Sequence, residues 1–472
     1  MRSLSAPFRA LLLMLAFFTP LLLAGAVQAQ AGNQGGRGVV LIRDAETESM
    51  IRDFAHPLFR AAGVDPALVR ITLIQDRAIN AFVTTGNRLF IHTGLIQQAD
   101  SAAELVGVLA HETGHIAGGH LAQLPEQMHL AMLRAVAALL AGGAAAAATG
   151  HGEALGAIAM GGQASAMGEF YAFSRGQEQA ADQAALSYLA IRRWPAEGLE
   201  RLLRRLLDQE LLAVGRQDPY FRTHPLSQDR VAFVQERIAR AGAEHTALPP
   251  DFEARFAMVR AKLNGFLGSP QALRRLYPER DGSAPARYAR SIALYRSGRI
   301  AEAVALMEEL LREQPGSPWL HEMKGQILFE GHRPQAALPA YAEAARLAPG
   351  EPLIRTAHAH VMIELGTPAL LRAAVRELEA SLALDREAGF AWHQLGVAQG
   401  RFGNLPMADL ALAEEAMLKE NFPDARFLAR RAAEALPPGP ARLRAQDLRN
   451  AARPENMTPE QREAEQAQRR RR

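Results

Sequence analysis

The chain has 472 residues, 49% hydrophobic and 22% charged, which excludes wholesale disorder and leaves room for two or three domains. With no cysteine, disulfides, thiolate-ligated zinc, iron–sulfur clusters and thiol catalysis are all excluded. A formal charge of +3 gives no basis for a nucleic-acid partner, and sparse aromatics (6%) with frequent alanine favour helices over sheet.

Residues 1–29 have the three-part layout of a secretory signal peptide: Arg2 and Arg9, an apolar run from Ala10 to Leu23, and small residues around Val27-Gln28-Ala29. The competing reading, a membrane anchor, has a run that is short for a span. Removing Arg2 and Arg9 lowers the net charge to +1. An exported chain is therefore expected, with residues 30–43 as a Gly-rich linker.

From Asp44 to Gly63 the pattern predicts a helix, with Ile51, Phe54, Leu58 and Phe59 on one stripe. Val69 to Gln75 and Asn87 to His92 read as short strands, the second after the turn Thr84-Thr85-Gly86-Asn87. Ser101 to Gly119 predicts a helix opened by a capping box of Ser101 and Glu104. Residues 130–168, rich in Ala and Gly, read as a helical flap, since the apolar stretch from Ala135 to Ala148 is short for a span; the alternatives are a membrane-inserted hairpin and a peripheral membrane contact. Further helices are expected over 172–192, 196–214 and 226–241, with a loop from Asp218 to Pro225.

Residues 284–435 change character. Pro315 and Pro349 stand 34 residues apart, the tetratricopeptide (TPR) period. Gly325, Ala337, Tyr341 and Ala344 occupy the small and aromatic positions where paired helices touch, and Trp392, Leu395, Gly396 and Ala408 fill the same template further on. Stacked helix pairs leave a concave surface suited to peptides or protein partners. The remainder, 436–472, is charged, ends in four arginines and reads as a disordered tail.

The chemistry is concentrated in His111-Glu112-Thr113-Gly114-His115, an HExxH sequence on a predicted helix. Residues four apart share a helix face, so both imidazoles can reach one zinc ion. Glu112 can then take a proton from the attacking water and pass it to the leaving amine. A third ligand is required. The metzincin spacing would put a histidine at position 121, which is Leu121; His120 is one residue short. The gluzincin alternative takes a glutamate from a second helix, for which Glu178 is the candidate. Asp182, four residues on, could accept a hydrogen bond from His111 and fix its tautomer. The other reading of Glu178 and Asp182 is an ordinary solvated helix face. His120 reads as a structural residue or a support for a ligand, and His92, His129, His151 and His245 are given no function.

HETGH, the stretch from Ser174 to Asp182 and Thr223-His224-Pro225 before Asp229-Arg230-Val231 together resemble the zinc metalloprotease class of HtpX and the CAAX prenyl endopeptidases. The signal peptide and the TPR repeats narrow the resemblance to its periplasmic beta-barrel assembly-enhancing members. The resemblance implies one zinc per chain held by His111, His115 and Glu178, with Glu112 as general base. It implies that His224 caps the zinc at rest; a transition-state role for His224 is the alternative. The expected fold is mainly α (α+β): a gluzincin-like zinc metalloprotease domain with a small β-sheet over 44–242, a connecting helical segment over 243–283, and an α-solenoid of TPR helix pairs over 284–435. The expected edge for an extended substrate is the strand from Asn87 to Ile96. The expected function is a periplasmic endopeptidase of protein quality control in a Gram-negative bacterium, degrading misassembled outer-membrane proteins, assisting their assembly and docking substrate or assembly machinery through the repeats. The rival is a TPR chaperone or adaptor with a self-capped, rarely active zinc site.

Overall fold

A computed structural model describes residues 40–120, 174–210, 224, 228–241, 247–459, 461–463 and 465–466. The expected signal peptide, most of the Gly-rich linker and the Ala/Gly-rich flap at 130–168 lie outside the described residues. No helix among the described residues is long and apolar enough to cross a membrane.

The N-terminal half is built on helix α1 (Ala45–Ala61), whose first turn is capped by Asp44 accepting from the Thr47 amide at 2.8 Å. Its apolar stripe of Ile51, Phe54, Leu58 and Phe59 is fully buried. A four-stranded sheet packs beside it, with strands β1 (Leu41–Ile42), β2 (Arg70–Ile74), β3 (Ala81–Thr84) and β4 (Arg88–His92) in the order β1–β2–β4–β3. Strand β4 is parallel to β2 and antiparallel to β3.

This topology corrects the sequence reading. The strand at 87–92 is internal, and among the described residues the edge belongs to β3, which the sequence reading missed because it is four residues long. The His92 amide donates to the Asn80 carbonyl at 2.9 Å, so Phe82 faces β4 while Ala81 and Val83 turn their backbone polar groups outward. Strand β1 likewise interrupts the segment read as linker.

After α2 (Thr93–Gln98) comes α3 (Ala102–Ala117), which carries HETGH. Ser101 is its N-cap residue, but no capping box forms: the Ser101 side chain makes no cap bond. The Glu104 carboxylate instead accepts from the Asp100 amide at 3.1 Å and pairs with Arg205 at 3.0 Å. Helices α4 (174–192), α5 (Glu197–Glu210), α6 (Gln228–Ala241) and α7 (Phe252–Leu267) complete the domain. Helix α7 falls in the segment read as connecting, yet Phe252, Phe256, Val259 and Leu263 are part of the N-terminal core, with Phe252 stacked on Phe54.

After α8 (Pro270–Leu276), five helix pairs follow: α9 (Ala284–Arg296) with α10 (Ile300–Glu313), α11 (Pro318–Glu330) with α12 (Pro334–Leu347), α13 (Pro352–Leu365) with α14 (Pro368–Leu384), α15 (Gly389–Arg401) with α16 (Leu405–Leu418), and α17 (Phe422–Ala435) with α18 (Pro440–Ala451). Close packing explains the template residues: a Cβ on Gly325 would lie 2.7 Å from the Tyr341 ring. Helix α18 overturns the disordered tail for residues 440–451. Its Leu448 and Ala445 are buried against α17, and further on Glu465 is paired with Arg426 at 2.9 Å.

The repeats are joined to the N-terminal half by charge. Lys262 of α7 is buried, 2.6 Å from Asp44, 3.3 Å from Glu46 and 3.7 Å from Glu322 of α11. Tyr288 of α9 donates to Glu46 at 2.8 Å. Arg52 of α1 holds Glu351, and Arg70 and Arg88, at the starts of β2 and β4, both reach Glu387 in the α14–α15 turn.

Candidate metal centre

Helices α3 and α4 meet at a point only glycine permits. A Cβ on Gly114 would sit 2.8 Å from the Ala181 carbonyl oxygen and 2.9 Å from its Cα. That approach sets the HExxH turn of α3 against the turn of α4 bearing Glu178 and Asp182.

Four side chains converge there. His111, His115, Glu178 and His224 are all buried, and each offers one ligand atom, all within 4.8 Å of one another. His111 Nε2 lies 3.1 Å from His115 Nε2 and 3.3 Å from Glu178 Oε2. His115 Nε2 is 3.3 Å from Glu178 Oε1, and His224 Nδ1 is 3.4 Å from His111 Nε2 and 3.2 Å from Glu178 Oε1. Tetrahedral zinc with bonds of about 2.0–2.1 Å separates its ligand atoms by roughly 3.3–3.4 Å. The spacing and the donor set of three imidazoles and a carboxylate therefore fit a small divalent ion.

The supporting contacts aim the correct atoms inward. Asp182 Oδ1 is 2.9 Å from His111 Nδ1, so that nitrogen donates and Nε2 presents its lone pair. His120 Nδ1 stands 2.9 Å from His115 Nδ1, on the side of the ring away from the cluster. His224 Nε2 donates to the Ala81 carbonyl at 3.1 Å, leaving Nδ1 facing Glu178. Arg230 of α6 grips Asp182 at 2.7 and 2.9 Å and Glu178 at 2.8 Å. Sequence reasoning quoted Arg230 within a motif but assigned it nothing; a lone arginine on a helix has no spacing partner to mark it.

The electrostatics are those of a buried cation site. Burial opposes charge on His111, but Asp182 and Glu178 outweigh it and push the imidazole up to about 10. Burial, with His111 and His224 adding to it, takes His115 down to about 3 even though Glu178 opposes the shift. Despite burial, His224, His111 and His115 hold Glu178 well below the usual carboxylate range.

Glu112 is fully buried beside the cluster, and burial raises its carboxyl above the ordinary value. Its Oε1 lies 3.4 Å from His224 Nε2, and neither oxygen has a hydrogen-bond partner among the described residues. A buried, unsatisfied carboxylate at the mouth of a ligand set is available to handle protons.

The comparison with known families agrees with this geometry. Residues 42–238 match the model of Peptidase family M48. This segment is an M48 metallopeptidase domain. The Beta-barrel assembly-enhancing protease of Yersinia pestis is 27% identical over 306 residues, 63% of this chain and 61% of that protein. The protein of the same name from Escherichia coli K12 is 27% identical over 262 residues, 54% of this chain and 52% of that one. The chain thus spans about half to three-fifths of the length of these relatives. The crystal structure of YrrB, a TPR protein with an unusual peptide-binding site, overlaps at a TM-score of 0.31 and 21% identity, covering 37% of this chain and 91% of that one.

Proposed function

We propose that the chain is a zinc-dependent endopeptidase of the bacterial periplasm that cuts unfolded or misassembled proteins, outer-membrane proteins among them. His111, His115 and Glu178 would hold one zinc ion, with Asp182 fixing His111. When bound, the ion supplies Lewis-acid polarisation of the scissile carbonyl and of the attacking water. Glu112 takes the proton of that water and returns it to the leaving amine nitrogen; its raised affinity for a proton suits both transfers. An extended substrate adds to β3, where Ala81 and Val83 turn their backbone groups away from β4 and the Ala81 carbonyl is released when His224 moves aside. The names of the relatives support a role in outer-membrane protein assembly, and the helix pairs support docking of substrate or assembly machinery.

One observation carries this reading: four ligand atoms within 4.8 Å, with the Glu112 carboxyl buried beside them and without a hydrogen-bond partner among the described residues. The same cluster supports His224 as a resting cap, because with His224 in place four donors would already fill the ligand set of a four-coordinate ion. That completeness also favours the second reading, a TPR chaperone or adaptor that rarely cuts. Glu112→Gln separates the two. As an endopeptidase the variant folds and keeps its metal but loses cleavage of unfolded casein by about 10²–10⁴-fold. If wild type and Glu112→Gln complement a deletion equally under envelope stress, the chaperone reading stands instead.

A further inference from the structure

Arg230 sits inside the candidate centre without being one of its donors, and its guanidinium is 4% exposed. Its Nε and Nη2 donate to the two oxygens of Asp182 at 2.7 and 2.9 Å, while Nη1 lies 2.8 Å from Glu178 Oε2. One planar fork therefore spans both carboxylates of one turn of α4. Lysine could not reproduce this, because its ammonium is a point charge without fork geometry.

The two contacts have different consequences. The bidentate grip fixes the plane of Asp182, whose Oδ1 then meets His111 Nδ1 at 2.9 Å. The single bond to Glu178 occupies a lone pair of Oε2. An oxygen that already accepts a charged hydrogen bond is a weaker second donor to a metal, so Glu178 is biased toward ligation through one oxygen. A glutamate binding through both would take the position that a hydrolytic site must keep open.

We propose that Arg230 is a positioning residue that holds Glu178 to one-oxygen ligation and thereby keeps a coordination position available once His224 moves aside. This rests on the metal-centre reading above. The same arginine anchors the first turn of α6, six residues after His224, so it ties the chain segment bearing the cap to the ligand helix.

The test uses the full chain loaded with cobalt(II), whose visible d–d bands weaken sharply when four-coordination gives way to five. Arg230→Lys should bind cobalt within about 10–100-fold of the wild-type affinity, show the weaker five-coordinate band, and lose about 10–100-fold in kcat with KM little changed. In Arg230→Ala, added methylguanidinium should restore the strong band. A folded Arg230→Lys with an unchanged band, or activity that falls only with metal occupancy, would overturn the proposal. So would loss of folding in both variants, which would make the arginine structural. Failure of the wild-type chain to bind cobalt at all would instead defeat the metal-centre reading.

Discussion

His224 donates to the backbone carbonyl of Ala81 at 3.1 Å, so the candidate cap is bonded to β3, an edge strand among the described residues. The carbonyl it occupies is one of the outward groups an added strand would need. Substrate and cap therefore compete for one acceptor. His224→Ala is expected to raise cleavage of unfolded casein by about tenfold, the factor for a resting state favoured roughly ten to one. A variant as inactive as Glu112→Gln would show that His224 assists turnover instead.

Gly114 lies where the two ligand helices touch, and the neighbouring atoms are backbone that cannot swing away. Gly114→Ala should push α4 outward and carry Glu178 with it. The expected cost is about 1–3 kcal/mol in stability and a 10–100-fold loss of metal affinity, read by thermal unfolding and chelator competition. Unchanged affinity would mean that the approach of α3 to α4 does not position the third ligand.

These two cases show what the sequence made legible. HETGH and Glu178 could be read because a four-residue spacing and a second acidic helix have a mechanical meaning. The repeats could be read because Pro315, Pro349, Gly325 and Tyr341 keep a period. Gly114 is invisible as a contact because its role is to lack atoms. Strand β3 is too short to show alternation, so the edge was assigned to its neighbour. The Ser101 and Glu104 pair fits the capping pattern, but Arg205 and the Asp100 amide draw Glu104 elsewhere. Nothing in the sequence marks Lys262; only the fold surrounds it with Asp44, Glu46 and Glu322.

That lysine gives a pH prediction. Glu322 is pushed up to about 7 by burial, with Lys262 opposing the rise and Asp44, Glu46 and Glu351 adding to it. Its ordinary value is 4.5. Between those values the native state holds a proton that the unfolded chain has released, so stability falls as pH rises through the window. Glu46 is also raised by burial and acts in the same direction. Thermal unfolding from pH 4.5 to 8 should show this decline, and Glu322→Gln should flatten it by on the order of 1–3 kcal/mol. An unaltered slope in the variant would place the linkage elsewhere.

The most direct test is the zinc content of the purified chain, by mass spectrometry of the metal, beside Glu178→Ala. One ion per wild-type chain, lost from the variant while its helical content and melting profile persist, is the expected result. Zinc bound equally well without Glu178, or no zinc in the wild-type chain, would contradict a centre assembled from α3 and α4.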